Sequence, residues 1–190
     1  MPGRGPRQFG PRGMIHGKHA SVLIEQARVL VVDDNPFMRG IVRNLLANVG
    51  VKAVYEAGDG IEALEQIRSV LPHIVILDWE MPLLSGAEVV RIVRSPGVFP
   101  MPDIPIIMLT GHGERWRIVE AAKLGVNEFL CKPVSAKSLL QRMVSILANP
   151  RPSVKLGEYY GPAPRGLLEQ RVTQEDESDI VAVAAPGAAV

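Results

Sequence analysis

The sequence predicts a doubly wound α/β domain: a five-stranded parallel sheet with five helices, flanked by disordered tails. Between residues 27 and 150, short Val- and Ile-rich runs alternate with longer stretches of helical period. The apolar runs lack strict polar alternation, as strands buried on both faces do. Strand-then-helix order, repeated, is what right-handed crossovers in one parallel sheet require.

Arg28–Asp33 is the first strand, Val-rich and too short for a helix. Asn35 then suits an N-cap and Pro36 a first helical position. Phe37, Ile41, Leu45 and Val49 recur every four residues as the first helix's apolar stripe, and Gly50 stops it. Lys52–Glu56 is the second strand, and Ile61, Leu64 and Ile67 mark the second helix. His73–Asp78 is the third strand, followed by a helix over Ser85–Arg94 with Val89, Val90 and Val93 inward. After a Pro-rich connection come a strand at Ile104–Thr110 and a helix at Glu114–Leu124. Asn127–Cys131 and Ser135–Leu147 complete the set, with Cys131 expected as a small buried side chain.

Composition separates the ends from this core. Residues 1–26 carry four basic groups against one acidic, and the first 20 contain five Gly and three Pro, which predicts a disordered basic arm. Residues 27–150 balance their charges. Residues 151–190 carry four basic against six acidic groups, are Pro/Gly-rich and then acidic, and are expected to be disordered. The 190-residue chain has a net charge of +1 and one cysteine, which excludes a disulfide scaffold and argues against a general nucleic-acid binder. No apolar run approaches a membrane-spanning length, so a cytoplasmic protein is expected.

Ligands of open parallel sheets bind at the carboxyl ends of the strands. Here those ends carry Asp33-Asp34, Asp78, Thr110 and Lys132-Pro133. Three carboxylates on one edge repel one another unless a hard cation joins them, and Mg²⁺ takes such oxygen donors. A cation, a lysine and a hydroxyl around an aspartate make a phosphoryl-transfer environment, which suggests an acyl phosphate on one of the Asp side chains.

The sequence resembles the receiver domains of two-component response regulators over roughly residues 27–148. The matching stretches are Val31–Asn35, Ala57–Leu64, Leu77–Pro82, Met108–Gly111 and Cys131–Pro133. The resemblance implies the flavodoxin-like receiver fold of a stand-alone, single-domain type. It also implies Asp78 as phosphoacceptor, with Asp33, Asp34, Asp78 and the backbone carbonyl of Glu80 holding Mg²⁺. Lys132 would bridge to the phosphoryl group, Lys132-Pro133 would be a cis peptide, and Thr110 would be the switch hydroxyl. Phe129 stands at the position of the switch aromatic; where the family has Tyr, the Phe lacks a hydroxyl, so coupling must come from packing. The implied phosphodonor is a sensor histidine kinase or histidine phosphotransfer protein. The output is a downstream protein docking on the face of the fourth helix, fifth strand and fifth helix.

Other readings weigh less. Gly58-Asp59-Gly60-Ile61-Glu62-Ala63 satisfies a dinucleotide-binding pattern, but Asp59 and Glu62 put negative charge where a pyrophosphate would sit. Asp59 reads better as a helix cap. His16, His19, His73 and His112 share no ligand spacing, although His112 falls at the rim of the proposed site. Trp79 is expected to be partly exposed, and Arg115 with Arg117 to form a solvated face or an acidic-partner contact. A phosphorylation-independent interaction module of the same fold is the alternative function, and the N-terminal arm could add nucleic-acid binding. The 38 residues after Pro152 are too few for a helix-turn-helix output, so no DNA-binding domain is expected.

Overall fold

The computed structural model describes residues 12–111 and 115–164. In chain order the elements are α1 (Arg12–Gln26), β1 (Arg28–Val32), α2 (Pro36–Asn48), β2 (Ala53–Ala57), α3 (Gly60–Val70), β3 (Ile74–Asp78) and α4 (Gly86–Val93). Then follow β4 (Ile106–Thr110), α5 (Arg115–Lys123), β5 (Glu128–Cys131), α6 (Ala136–Ala148), β6 (Ser153–Leu156) and β7 (Tyr159–Pro162). The first five strands form one parallel sheet in the order β2-β1-β3-β4-β5. The strand order reverses between β1 and β3, which makes that pair the switch point of a doubly wound sheet.

Strand alternation divides the core into two layers. Leu30, Val32, Val75 and Leu77 face one way and pack with Val89, Val90 and Val93 of α4 and with Ala121 of α5. Val29, Val31, Ile74 and Ile76 face the other way, onto Val42 and Leu46 of α2 and onto Leu139 and Met143 of α6. Side chains of successive strand residues point to opposite faces, so one Val/Ile-rich strand serves both layers.

Short polar side chains fix the helix starts. The Asn35 side chain accepts the N–H groups of Phe37 and Met38, ahead of Pro36 at the first turn. Asp59 accepts the N–H groups of Ile61 and Glu62, both at 2.8 Å, and Gly58 N–H donates to Glu62 Oε2 at 2.7 Å. The chain's own carboxylates therefore fill the place a pyrophosphate would need in the Gly58–Ala63 motif. Ser85 and Glu88 form a capping box on α4.

Several local expectations are corrected. The buried residues of α2 are Val42 and Leu46; Phe37, expected on the apolar stripe, is 73% exposed. The helix is rolled by one position, so Leu45 and Val49 flank the buried face without leading it. Cys131 is exposed, because it stands at the last position of β5, an edge strand of the sheet. Trp79 is buried.

Order also extends beyond residues 27–150. Where a disordered arm was expected, α1 covers Arg12–Gln26 and inserts Ile24 beside Leu139 and Met143 of α6. Its Glu25 pairs with Lys52. Past Pro152, β6 and β7 form an antiparallel hairpin. Arg151 clamps it to the domain by donating to the carbonyls of Asn127 at 2.5 Å and Ala163 at 3.0 Å. Tyr160 adds a hydroxyl bond to Asp103 at 2.7 Å. Gly125 has φ +87°, and a Cβ there would lie 2.5 Å from the Tyr160 carbonyl, so glycine lets the hairpin approach. The expectations for residues 1–11, His112, Glu114 and 165–190 lie outside the described residues. Among the described residues, no helix is long and apolar enough to cross a membrane.

Candidate functional site

Parallel pairing brings four strand ends to one level. Asp33 and Asp34 follow β1, Asp78 ends β3, Thr110 ends β4, and Lys132 follows β5. The register continues past the strands: Trp79 N–H donates to Leu109 O at 2.9 Å, and Lys132 N–H to Thr110 O at 2.8 Å. Side chains far apart in sequence are thus held by backbone hydrogen bonds within a few residues of each.

The Lys132 ammonium lies 2.8 Å from Asp33 Oδ2 and 2.9 Å from Asp78 Oδ1. Asp33 and Asp78 are almost fully buried, at 1% and 6% exposure, while Asp34 is exposed. One carboxylate oxygen from each of the three aspartates lies within 4.8 Å of the others. Oxygens sharing an octahedral Mg²⁺ would lie about 2.9–4.2 Å apart, given metal–oxygen distances of about 2.0–2.1 Å. The three carboxylates, all hard oxygen donors, fit such an ion with small adjustments. They outnumber the Lys132 charge, which leaves the cluster net negative.

The surroundings orient each group. Asp33 Oδ1 accepts the Asn35 N–H at 2.9 Å, and Arg39 donates to the Asp33 carbonyl at 2.7 Å. Arg39 is fixed in turn by Glu56 at 3.1 Å. Burial raises the pKa of the Asp78 carboxyl, helped by the Asp33 charge, and the Lys132 bond opposes the rise only in part. For Lys132 burial works downward, but bonds to Asp33 and Asp78 outweigh it and raise the ammonium pKa. Lys132-Pro133 is a cis peptide. Thr110 is buried at 3% exposure, and Phe129 is half-buried against the Met108 and Val126 side of the core.

Sequence reasoning missed part of this setting. Arg117 is turned inward, not out to solvent: it pairs with Glu80 at 2.7 Å and lies 5.7 Å and 5.1 Å from the Trp79 and Trp116 rings. That stacking explains why Trp79 is covered. No spacing in the sequence signals it, because Arg117 and Trp79 meet only when α5 packs beside β3.

The match to known proteins follows the same stretch of chain. Residues 29–144 match the family described as the response regulator receiver domain. The chain belongs to that family. A chemotaxis protein, CheY1 of Helicobacter pylori, is 37% identical over 123 residues, which span 64% of this chain and 98% of that protein. The chemotaxis protein CheY of Pseudomonas aeruginosa is 35% identical over 63% of this chain and 94% of its own length. Among solved structures, the Francisella response regulator 1452 receiver domain superposes with a TM-score of 0.60 at 26% identity, covering 66% of this chain and all of that one. CheY4 of Vibrio cholerae gives 0.57 at 32% identity, covering 64% of this chain and 98% of that one. The protein therefore carries a receiver domain similar to those of the CheY proteins, a module of two-component signalling; receiver domains of this family are signalling switches and generally not classical enzymes. Helix α1 and the β6–β7 hairpin fall outside the family match.

Proposed function

We propose that this receiver accepts a phosphoryl group on Asp78 and thereby changes the partner preference of the face formed by α5, β5 and α6. The observation that supports it most directly is the Lys132 ammonium held between Asp33 and Asp78, beside a third carboxylate. An oxygen of Asp78 attacks phosphorus on the phosphohistidine of a sensor histidine kinase or phosphotransfer protein. The bond from phosphorus to the imidazole nitrogen breaks as the new P–O bond forms, and the ring leaves neutral with a proton taken from solvent. Lys132 transfers its interaction from the Asp78 carboxylate to a phosphoryl oxygen, and the Thr110 hydroxyl donates to another.

Asp33, Asp34, Asp78 and the backbone carbonyl of Glu80 would hold Mg²⁺, which when bound supplies positive charge against the phosphoryl oxygens. The switch is a two-state element biased by the new charge: Thr110 moves toward the phosphoryl group, and Phe129 repacks inward through contacts alone. Attack of water on the phosphorus returns the carboxylate, so the domain assists its own phosphorylation and dephosphorylation. A cytoplasmic location, where kinase and downstream protein target meet, belongs to this reading.

Borohydride trapping tests the acceptor. Reduction of the acyl phosphate after exposure to a phosphohistidine donor converts the modified residue to homoserine, and peptide mass mapping should place it at position 78. Homoserine at another position would refute the assignment.

A further inference from the structure

A large groove of the described surface lies away from the aspartates. It measures about 690 Å³ and runs between α5, the β5 strand and the β6–β7 hairpin. Its apolar lining includes Ile118, Val119, Ala122, Val126 and Phe129, and Pro164 lines it as well. A cavity of this size suits several side chains of a bound segment.

We infer that this groove is the docking site of the chain's own C-terminal segment, residues 165–190. Pro164, the last described residue, is among the residues that line the groove, so residues 165–190 are tethered at its edge. Leu167 and Leu168 follow within three and four residues, close enough to reach the apolar lining. Charge is complementary. Lys123, Arg142 and Arg151 line the groove, while its one carboxylate, Glu128, is engaged by Arg142 at 3.1 Å. Residues 165–190 carry five acids, four of them in the run Glu175, Asp176, Glu177 and Asp179, against Arg165 and Arg171. Glu175 stands eleven positions past Pro164, a reach of up to about 36 Å when extended, so the acidic run can return along the basic side chains.

Such a segment would compete with any partner for the surface around Phe129. It acts as a tethered occupant, so its local concentration is set by chain length and not by expression level. The contact rests on groove shape and charge and does not depend on Asp78 being the acceptor.

Paramagnetic relaxation in the full chain tests it. A nitroxide is placed on Ser178→Cys in a Cys131→Ser background, and backbone amide signals are recorded. We expect broadening confined to residues 118–129 and the β6–β7 hairpin. It should be lost in the Glu175→Lys/Asp176→Lys/Glu177→Lys variant, and weakened at 1 M salt, where the screening length falls to about 3 Å. Absent or uniformly weak broadening would overturn the inference, as would broadening centred elsewhere. In a mixture of isotope-labelled chains without the nitroxide and unlabelled chains carrying it, groove broadening as strong as in the single chain would assign the groove to a second copy, and that too would overturn it.

Discussion

Gly86 packs so closely on Asp78 that a Cβ at position 86 would overlap the Asp78 carbonyl oxygen. The start of α4 is thus seated on the strand end that carries the buried carboxylate, and Gly86 N–H binds the next carbonyl, that of Trp79, at 3.0 Å. Gly86→Ala should displace either α4 or the end of β3. We expect a loss of about 1–3 kcal/mol, the usual cost of overpacking, measured by denaturant unfolding. Slower phosphoryl acceptance should accompany it, and an unchanged midpoint would show that the site yields freely.

Mg²⁺ should raise the thermal midpoint, since it binds the folded aspartate cluster and not the unfolded chain. At about 100 times its dissociation constant the gain is about 2.7 kcal/mol. Asp34→Asn should remove most of that gain without unfolding the protein, because Asp34 is the exposed member of the cluster. An equal shift in the variant would show that the ion binds elsewhere.

Arg94 should matter for stability and not for phosphoryl chemistry. It is buried on α4's C-terminal side and donates to Gly125 O at 2.8 Å, Pro102 O at 2.5 Å and Asn127 Oδ1 at 3.0 Å. Burial lowers its pKa to about 10, which still leaves it charged at neutral pH. Arg94→Ala orphans the Gly125 and Pro102 carbonyls, at about 1–3 kcal/mol each when buried, and leaves Asn127 Oδ1 with the Ile106 N–H at 3.0 Å alone. Unfolding should show a loss of about 3 kcal/mol or more, with the extent of acyl-phosphate formation by the folded fraction unchanged.

His73 supplies a pH signature. Its Nδ1 accepts the Arg28 N–H at 2.9 Å, which requires a neutral ring. Burial, and then the Arg28 charge, lower its pKa below the ordinary value of 6.5. The unfolded chain therefore takes up this proton first as pH falls. The contribution is complete above about pH 6.5 and is lost as pH drops through the lower folded value. The stability difference between wild type and His73→Gln should be constant above that pH and shrink below it; a difference independent of pH would contradict the assignment.

The five strands and the residues at their ends were legible because buried parallel strands are apolar on both faces, and their polar ends then stand out. Asp33, Asp78, Thr110 and Lys132 each close such a run. Facing was less legible. The periods of Phe37, Ile41, Leu45 and of Val42, Leu46 coexist in α2, and only packing on the sheet selects the second. Helix α1 was missed because its sequence, with Gly13 and Gly17, carries little propensity; Ile24 and the Glu25–Lys52 pair fix its end through tertiary contacts. The β6–β7 hairpin hid in Pro/Gly composition, since Gly157 and Gly161 serve turns and close approach there and do not mark disorder. Arg117 looked like a surface cation until α5 carried it over Trp79.

The central claim is that Asp78 becomes an acyl phosphate. Intact mass after incubation with a small-molecule phosphodonor and Mg²⁺, on wild type beside Asp78→Asn, tests it most directly. One phosphoryl group added to the wild type alone, and removed by mild base, is the predicted result. An adduct of equal extent on Asp78→Asn, or no adduct on either protein from both small-molecule and phosphohistidine donors, would contradict it and favour an interaction module that works without phosphorylation.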